Sequence, residues 1–302
     1  MKKIVFIGGP TASGKTDLAV RIAKEFNGEL INADSRQIYK FLDIGTNKGG
    51  IKQIEGKNFI DDIPIHLVSF LNPDERYSVF EFKVAAINLI EEIISRKKLP
   101  IIVGGTGLYI DSIIKNYELT SATDSKIREN FENKSLGELT AFLNENFSNE
   151  FAQLNSSDRL NKRRLVRLVE KLLAPTPQYK TSKLINYDYI FLYPQYKWED
   201  LTLKIGYRVD QMFSEGLVKE VEDVLAKGFL KSSIALQGTG YKEVMQYLTS
   251  NIDLKNCIEL VKISHRQYAR RQRTWFEGEG RGYNLLKVKD YSEAKDLIEA
   301  FL

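Results

Sequence analysis

Residues Gly9-Pro10-Thr11-Ala12-Ser13-Gly14-Lys15-Thr16 satisfy the pattern G-x-x-x-x-G-K-[ST] at every position. The chemistry such a run supports is phosphate binding. Successive backbone N–H groups and the start of a helix form a concave set of donors for phosphate oxygens. Lys15 adds a point charge, and Thr16 offers a hydroxyl to a phosphate-bound Mg2+. The run follows Ile4-Val5-Phe6-Ile7 and opens a helix-patterned segment, the strand–loop–helix order this mechanism needs. A glycine turn with an incidental lysine would leave that context unexplained. The motif is of the nucleotide-binding and ATP-binding kind, and it predicts a di- or triphosphate ligand.

A phosphate cradle does not say what is done to the phosphate. An ATPase or GTPase needs a second apolar strand ending in an Asp that helps hold Mg2+. Here Pro100-Ile101-Ile102-Val103 ends in Gly104-Gly105-Thr106-Gly107, without a carboxylate. The only carboxylate that closes a predicted core strand is Asp34, in Ile31-Asn32-Ala33-Asp34-Ser35-Arg36-Gln37. In a parallel sheet it falls at the same edge as the phosphate loop. Its alternatives are an acid–base group at that edge, or an N-cap or turn residue, a common position for Asp before Ser. The two histidines, His66 and His265, make no metal constellation with the single cysteine, Cys257, and one cysteine excludes a disulfide framework.

The elements that must position these residues can be read from periodicity. Ile4–Ile7, Glu29–Ala33, Ile63–Val68 and Pro100–Val103 read as strands, and Thr16–Phe26 and Val79–Ser95 as helices between them. This alternation predicts an α/β fold with a P-loop parallel-sheet core, nucleotide-kinase-like, and helices on both faces. From Asn116 to Asn186 the chain turns polar and helix-forming, with no strand-like run. Its most regular helix is expected over Arg159–Leu173, ended by Ala174-Pro175-Thr176-Pro177. Tyr189–Tyr193 then returns as a core strand, and helices follow, including Trp198–Phe213 and Ile258–Phe276. The expected domains are therefore a core of residues 1–115 and 187–302, and a mostly α-helical insertion of residues 116–186.

The 302 residues are 43% apolar and 28% charged with 7 prolines, which excludes a largely disordered chain. No apolar run reaches 18 residues, and the apolar stretch at the start is too short for a signal peptide, so a cytoplasmic protein without a membrane partner is expected. Net charge is only +4, yet Asp158–Lys183 carries +6 and Lys262–Arg281 carries +4, against −6 for the remainder. Charge concentrated in this way points to a polyanion such as nucleic acid, or to two solvated helix faces.

Taken together, Gly9–Thr16, Asn32-Ala33-Asp34-Ser35-Arg36-Gln37-Ile38-Tyr39, Asp43-Ile44-Gly45-Thr46 and Asn72-Pro73-Asp74-Glu75-Arg76-Tyr77-Ser78 occur in the order of one known family. So do Gly104-Gly105-Thr106-Gly107-Leu108-Tyr109, Gly240-Tyr241-Lys242-Glu243 and Arg266-Gln267-Tyr268-Ala269-Arg270-Arg271-Gln272-Arg273-Thr274-Trp275-Phe276. The chain resembles the tRNA dimethylallyltransferases (isopentenyl-tRNA transferases) of the bacterial type over nearly its whole length. The resemblance implies transfer of a dimethylallyl group from dimethylallyl diphosphate to the exocyclic N6 of the adenine 3′-adjacent to the anticodon. It implies Mg2+ as cofactor, held at Thr16, the anticodon stem-loop of tRNA as partner, and a monomer.

On this resemblance Asp34 is the general base for a weakly nucleophilic amine, and Gly9, Pro10, Thr11, Ala12, Ser13, Gly14, Lys15 and Thr16 clamp the diphosphate leaving group with Arg208. Thr106 belongs to the channel where donor and adenine meet, and is counted as catalytic with Asp34. Contacts to tRNA fall to Asp34, Ser35, Arg36, Gln37, Thr106 and Arg128, then to Arg163, Arg164, Leu165, Val166 and Arg167. Gln237, Gly240, Tyr241 and Lys242 form a further contact, and Arg266, Arg270 and Arg273 a ridge at i, i+4 and i+7 of one helix. For Arg208 the alternative is a surface helix arginine, and for Thr106 a helix N-cap.

The chain departs from the family at His265, where Thr is usual, and at Thr239, where an aliphatic residue is usual. The run Ser157–Lys162 matches only loosely. A C-terminal zinc finger, carried by eukaryotic relatives, is not expected with one cysteine. Two other classes remain: a P-loop enzyme acting on a small molecule, such as a nucleotide kinase or a prenyltransferase of free AMP, and a nucleotide-gated RNA-binding protein. The basic segments speak against the first, and Asp34 at the active edge against the second.

Overall fold

Lys2–Gly8 forms strand β1, and its last five residues are buried on both faces, as in the middle of a parallel sheet. The computed structural model describes residues 2–119, 125–173, 187–250 and 252–302. The remaining strands are β2 (Gly28–Asn32), β3 (Ile51–Ile54), β4 (Lys57–Ile60), β5 (Ile63–His66), β6 (Leu99–Gly104), β7 (Tyr187–Pro194) and β8 (Leu285–Val288). They make one sheet in the order β3-β4-β5-β2-β6-β1-β7-β8. From β5 to β8 every pairing is parallel, with Val5 beside Ile101 and Ile190.

The edge differs from the expected parallel sheet. Strands β3 and β4 form an antiparallel hairpin that pairs antiparallel with β5. Its turn residues Glu55 and Gly56 take φ of 49° and 75°, the left-handed pair that a tight hairpin requires. Four-residue strands with exposed lysines and glutamine carry too little apolar alternation to be read in advance. Strand β8 is likewise an addition to a stretch read as helical.

The helices of the sheet unit begin with α1 (Lys15–Glu25), α2 (Val79–Ser95) and α3 (Gly107–Ile114). The start of α2 is set by a capping box: Ser78 Oγ accepts from the Glu81 N–H, and Glu81 Oε2 accepts from the Ser78 N–H. Alternation along β1 builds the two core layers. Val5 and Ile7 pack with Ala19, Ile22 and Ala23 of α1. Ile4 and Phe6 pack with Phe82, Ala86 and Ile90 of α2 and Ile110 of α3.

The chain divides into two compact units, Met1–Tyr117 with Leu184–Leu302, and Glu118–Lys183. Among its described residues the smaller unit contains α4 (Ser125–Glu132), α5 (Leu136–Asn146), α6 (Ser148–Ala152), α7 (Ser156–Arg159) and α8 (Lys162–Leu173). The helix expected over Arg159–Leu173 is thus two elements, because Asn161 caps α8 by accepting the Arg164 N–H at 3.3 Å. The prolines at 174–177 expected to end it lie outside the described residues. Leu139, Leu143, Phe151, Leu165, Val166 and Val169 are its core. Replacing the fully buried Leu165 with Ala should destabilise this unit by about 2–5 kcal/mol. Chemical denaturation of the full chain reads this; an unchanged midpoint would take Leu165 out of the core.

The larger unit is completed by α9 (Trp198–Ser214), α10 (Leu217–Ala226), α11 (Tyr241–Thr249), α12 (Leu254–Glu277) and α13 (Tyr291–Phe301). Helices α9 to α12 bury a third cluster, with Met212, Leu217, Val221, Tyr241 and Val261 around Ile38, Tyr39 and Leu42. No helix of the described residues is long and apolar enough to cross a membrane.

Candidate active site

Three neighbouring strands, β2, β6 and β1, end at one edge, so Ala33–Gln37, Gly105-Thr106 and the phosphate loop meet there. Gly104 makes the approach possible, since a Cβ on it would lie 2.3 Å from the Ala33 backbone. In the phosphate loop, Gly14 takes φ 85° at the N-cap of α1, and Ala12 also sits in the left-handed region at φ 64°. Lys15 Nζ donates to the Pro10 carbonyl at 2.5 Å. Burial lowers the Lys15 pKa to about 7, with the Asp34 charge opposing that shift and Arg208 adding to it.

Arg208 reaches in from α9, and its Nη1 donates to Thr11 Oγ1 at 3.1 Å. Burial lowers its pKa too. Arg208 of α9 thus touches the phosphate loop through Thr11. Gln272 of α12 ties two loops together: its Oε1 accepts the Thr11 N–H at 2.8 Å, and its Nε2 donates to the Gly105 carbonyl at 3.0 Å. Sequence reading passed over Gln272. Its signal was available, because 265, 269, 272 and 276 recur at the spacing of one buried helix face.

Asp34 is held from both sides. Asn32 Oδ1 accepts the Asp34 N–H at 3.1 Å, and Asp34 Oδ1 accepts the Arg36 N–H at 2.9 Å. Asp34 is thus a turn residue that also borders the cavity of the phosphate loop. Thr106 stands at the N-cap of α3, but its hydroxyl does not cap that helix. Its Oγ1 accepts the Ser35 N–H at 2.9 Å, fixing the Asp34 loop across the β2–β6 edge.

One cavity of about 170 Å³ is bordered by Lys15, Thr16, Asp34, Gln37, Arg208 and Gln272. A second, of about 260 Å³, shares Asp34 and Thr11 with it and is closed by Ser35, Arg36, His265, Tyr268 and Arg271. Two cationic side chains, Lys15 and Arg208, and the Asp34 carboxylate thus line a common space. Among the described residues no group of three or more His, Cys, Asp or Glu could hold a metal. Thr16, which lines the same cavity as Asp17 and Asp34, offers a single hydroxyl, a donor set that suits Mg2+ carried largely by a ligand's phosphate oxygens and water.

Other anticipated contacts are distributed unevenly. The Arg36 guanidinium donates to the carbonyls of Ile234 and Ala235, so it braces this loop. Gln37 donates to the Thr46 and Asn47 carbonyls. Tyr241 is buried, its hydroxyl donates to Glu220 Oε1 at 2.7 Å, and it also lines the second cavity. Gly240 starts α11 at φ 88°, while Gln237 and Lys242 are exposed. Arg270 and Arg273 lie over the Trp198 ring, 5.6 and 5.2 Å from its centroid. Arg266 is half-buried on the same ridge, and Arg271, which was not singled out, turns instead to the cavity and the Tyr268 ring.

In the smaller unit, Leu165 and Val166 are buried, so what this run offers a ligand is its arginines. Arg128 and Arg167 both pair with the buried Glu170, and Arg164 pairs with Asp158. Arg163 is exposed and forms no ion pair among the described residues.

Residues 37–279 match the family model described as IPP transferase. The chain is 39% identical to the tRNA dimethylallyltransferase of Acetivibrio thermocellus over 91% of its own length and 89% of that protein. It is 36% identical to that of Alkaliphilus oremlandii, over 100% and 96% respectively. Among solved structures it is similar to the tRNA isopentenylpyrophosphate transferase of Bacillus halodurans, with TM-score 0.69 and 33% identity over 100% of this chain and 95% of that one. It is also similar to a eukaryotic dimethylallyltransferase acting on tRNA, with TM-score 0.76 and 28% identity over 99% and 78%.

Proposed function

Since this chain belongs to the IPP transferase family, we propose that it transfers the dimethylallyl group of dimethylallyl diphosphate to N6 of the adenine 3′-adjacent to the anticodon in tRNA. The observation that carries this reading is the shared cavity edge: a carboxylate, Asp34, beside a lysine and an arginine, Lys15 and Arg208, that face a phosphate site. A nucleotide hydrolase has no use for a carboxylate placed to take a proton from a bound amine.

In the proposed reaction the bond between C1 of the allyl group and the diphosphate oxygen breaks, and its electron pair leaves with diphosphate. The N6–C1 bond forms, and the N6 proton passes to the Asp34 carboxylate. Lys15, Arg208 and the loop N–H groups hold the charge that develops on the leaving group. Thr16 and the donor's own phosphate oxygens would hold Mg2+, which supplies neutralising charge there. Thr106 keeps the Asp34 loop in place through its bond to the Ser35 N–H. An adenine in a single-stranded anticodon loop can be turned out for a few kcal/mol of lost stacking.

The direct test is transfer from labelled donor, comparing unmodified tRNA with AMP, with and without added ATP. Label should enter tRNA alone, stop when Mg2+ is chelated, and need no ATP. Equal labelling of AMP, or ATP hydrolysis at a rate comparable to transfer, would overturn the reading. The basic run of the smaller unit is proposed to contact tRNA phosphates. Arg163→Gln with Arg164→Gln should raise the KM for tRNA, leave donor affinity unchanged, and flatten the salt dependence of tRNA binding by roughly one unit per lost phosphate contact. An unchanged slope would make these arginines merely solvated.

A further inference from the structure

Three consecutive backbone N–H groups, those of Asp43, Ile44 and Gly45, have no backbone acceptor among the described residues and donate instead to one carboxylate. That carboxylate is Glu220 of α10, 175 to 177 positions away in the chain. Its Oε2 accepts from Asp43 at 2.6 Å and from Ile44 at 2.7 Å, and its Oε1 accepts from Gly45 at 3.1 Å. Oε1 also accepts the Tyr241 hydroxyl at 2.7 Å. The three N–H groups open a turn that closes on itself, with the Lys48 N–H donating to the Asp43 carbonyl at 2.8 Å and the Asn47 N–H to the Ile44 carbonyl at 3.0 Å. Successive free N–H groups of this kind make a nest for negative charge. Bonds from them to an ionised acceptor are about twice as strong as neutral ones.

The turn is also a wall of the site. Gly45, Thr46 and Asn47 border the cavity of Asp34, Ser35 and Arg36, and Thr46 and Asn47 border that of Lys15 and Arg208 as well. Gln37 Nε2 donates to the Thr46 carbonyl at 3.0 Å and to the Asn47 carbonyl at 3.2 Å, so its side chain takes its position from the turn. A Cβ at Gly45 would lie 2.5 Å from the Tyr241 ring, which leaves the turn little room to shift toward α11. Its far end is held by the buried Lys48, whose Nζ donates to Asp43 Oδ1 and Ser69 Oγ, both at 2.8 Å. Glu220 lines neither cavity, and none of its bonds reaches the phosphate loop or the Asp34 turn directly.

We infer that Glu220 is a positioning residue of the transfer reaction. It fixes the turn from Asp43 to Asn47 and, through the Thr46 and Asn47 carbonyls, the Gln37 side chain where the acceptor nucleoside enters beside Asp34. The inference rests on the acceptor reading above. Small misplacements near the reacting atoms cost rate steeply, so a carboxylate outside the cavities can act through the wall it holds. Glutamine is nearly the same shape as glutamate but offers a single oxygen and an NH2 group. Glu220→Gln therefore sets N–H against the Gly45 N–H while leaving the packing of α10 in place.

A double-mutant cycle with Gln37 tests it, on the full chain, in single turnover with an anticodon stem-loop as acceptor. Glu220→Gln and Gln37→Ala should each lower kcat/KM for the stem-loop about 5- to 50-fold. The double variant should fall no more than about threefold below the worse single one. Pyrophosphate affinity should stay within about threefold, because Glu220 makes no bond to the phosphate loop. Amide hydrogen exchange over residues 42–47 should be faster in Glu220→Gln, with β1 and β6 unchanged. Losses that multiply in the double variant overturn the inference, since Glu220 then acts by another route. So does an unaltered transfer rate in a variant whose turn exchanges faster. A drop in pyrophosphate affinity as large as the drop in transfer also overturns it, because that marks general loosening. Should Glu220→Gln fail to fold, Glu220→Asp keeps the charge but draws it back by one methylene, and gives the same cycle. If the unaltered enzyme transfers to no stem-loop, the acceptor reading itself falls, and this inference with it. Transfer with multiplying losses overturns the Glu220 assignment alone.

Discussion

Asp34→Asn slows single-turnover transfer about 10²–10⁴-fold, roughly 3–5 kcal/mol of transition-state stabilisation, if Asp34 takes the N6 proton. Most of the loss falls on kcat, with donor and tRNA binding nearly intact. The structure makes this variant a clean one. The bond that Asp34 makes as a turn residue, from its Oδ1 to the Arg36 N–H at 2.9 Å, is one that an asparagine carbonyl keeps. The Asn32 bond to the backbone at 34 is untouched. Folding should therefore change little, because Asn and Asp serve such turns about equally. Transfer rate and thermal unfolding are measured on one preparation. A stable, slow variant supports the base. A fast one leaves Asp34 as a turn residue only.

Removing the lysine has its effect on the donor. Lys15→Ala should weaken pyrophosphate and dimethylallyl diphosphate binding by about 10- to 150-fold, the range of a lost charge-assisted hydrogen bond, and leave tRNA affinity unaltered. Unchanged donor affinity would remove the phosphate loop from donor binding. The free enzyme also sets a pH dependence. Its Lys15 titrates near 7 because burial disfavours the charge, while a bound diphosphate favours it and raises the pKa. Above pH 7 binding must then take up a proton. Pyrophosphate affinity should fall from pH 7 upward by up to tenfold per pH unit relative to Lys15→Met, whose profile retains only the titration of the ligand itself. Calorimetry in two buffers of different ionisation enthalpy reads the proton directly. For the ligand-free fold the sign is the opposite. Between pH 7 and the ordinary lysine value of 10.5 the unfolded chain holds more protons, so stability rises with pH through that window.

Several features were legible because their causes are local. The phosphate loop could be read because its glycines, lysine and threonine act within eight consecutive residues. Helix α2 was read from its apolar spacing to Val79–Ser95, the bounds it has in the fold, where the Ser78–Glu81 capping box sets its start. The core strands were equally plain, as burial on both faces leaves an unbroken apolar run. Where the cause was weak or distant, reading stopped short. The β3–β4 hairpin carries polar, four-residue strands, and Asn161 splits a pattern that periodicity alone joins. Tyr241 belongs to a recognisable motif, yet its burial comes from residues distant in the chain, such as Ile38, Met212 and Val221, with Glu220 accepting from its hydroxyl, which no local pattern announces.

What the sequence by itself determined is the set of chemical groups: a G-x-x-x-x-G-K-[ST] loop, a carboxylate at a strand end and two basic segments, each written in neighbouring residues. What only the tertiary structure decided is who faces whom. Thr11 meets Gln272 across 261 positions and Arg208 across 197, and Ser35 meets Thr106 across 71. The strand order that makes β2, β6 and β1 neighbours brings those loops together. The physical reason is that charge and hydrogen-bonding capacity belong to a residue type. Burial, orientation and the shift of a lysine to about pH 7 belong to its surroundings, which exist only after the chain has folded.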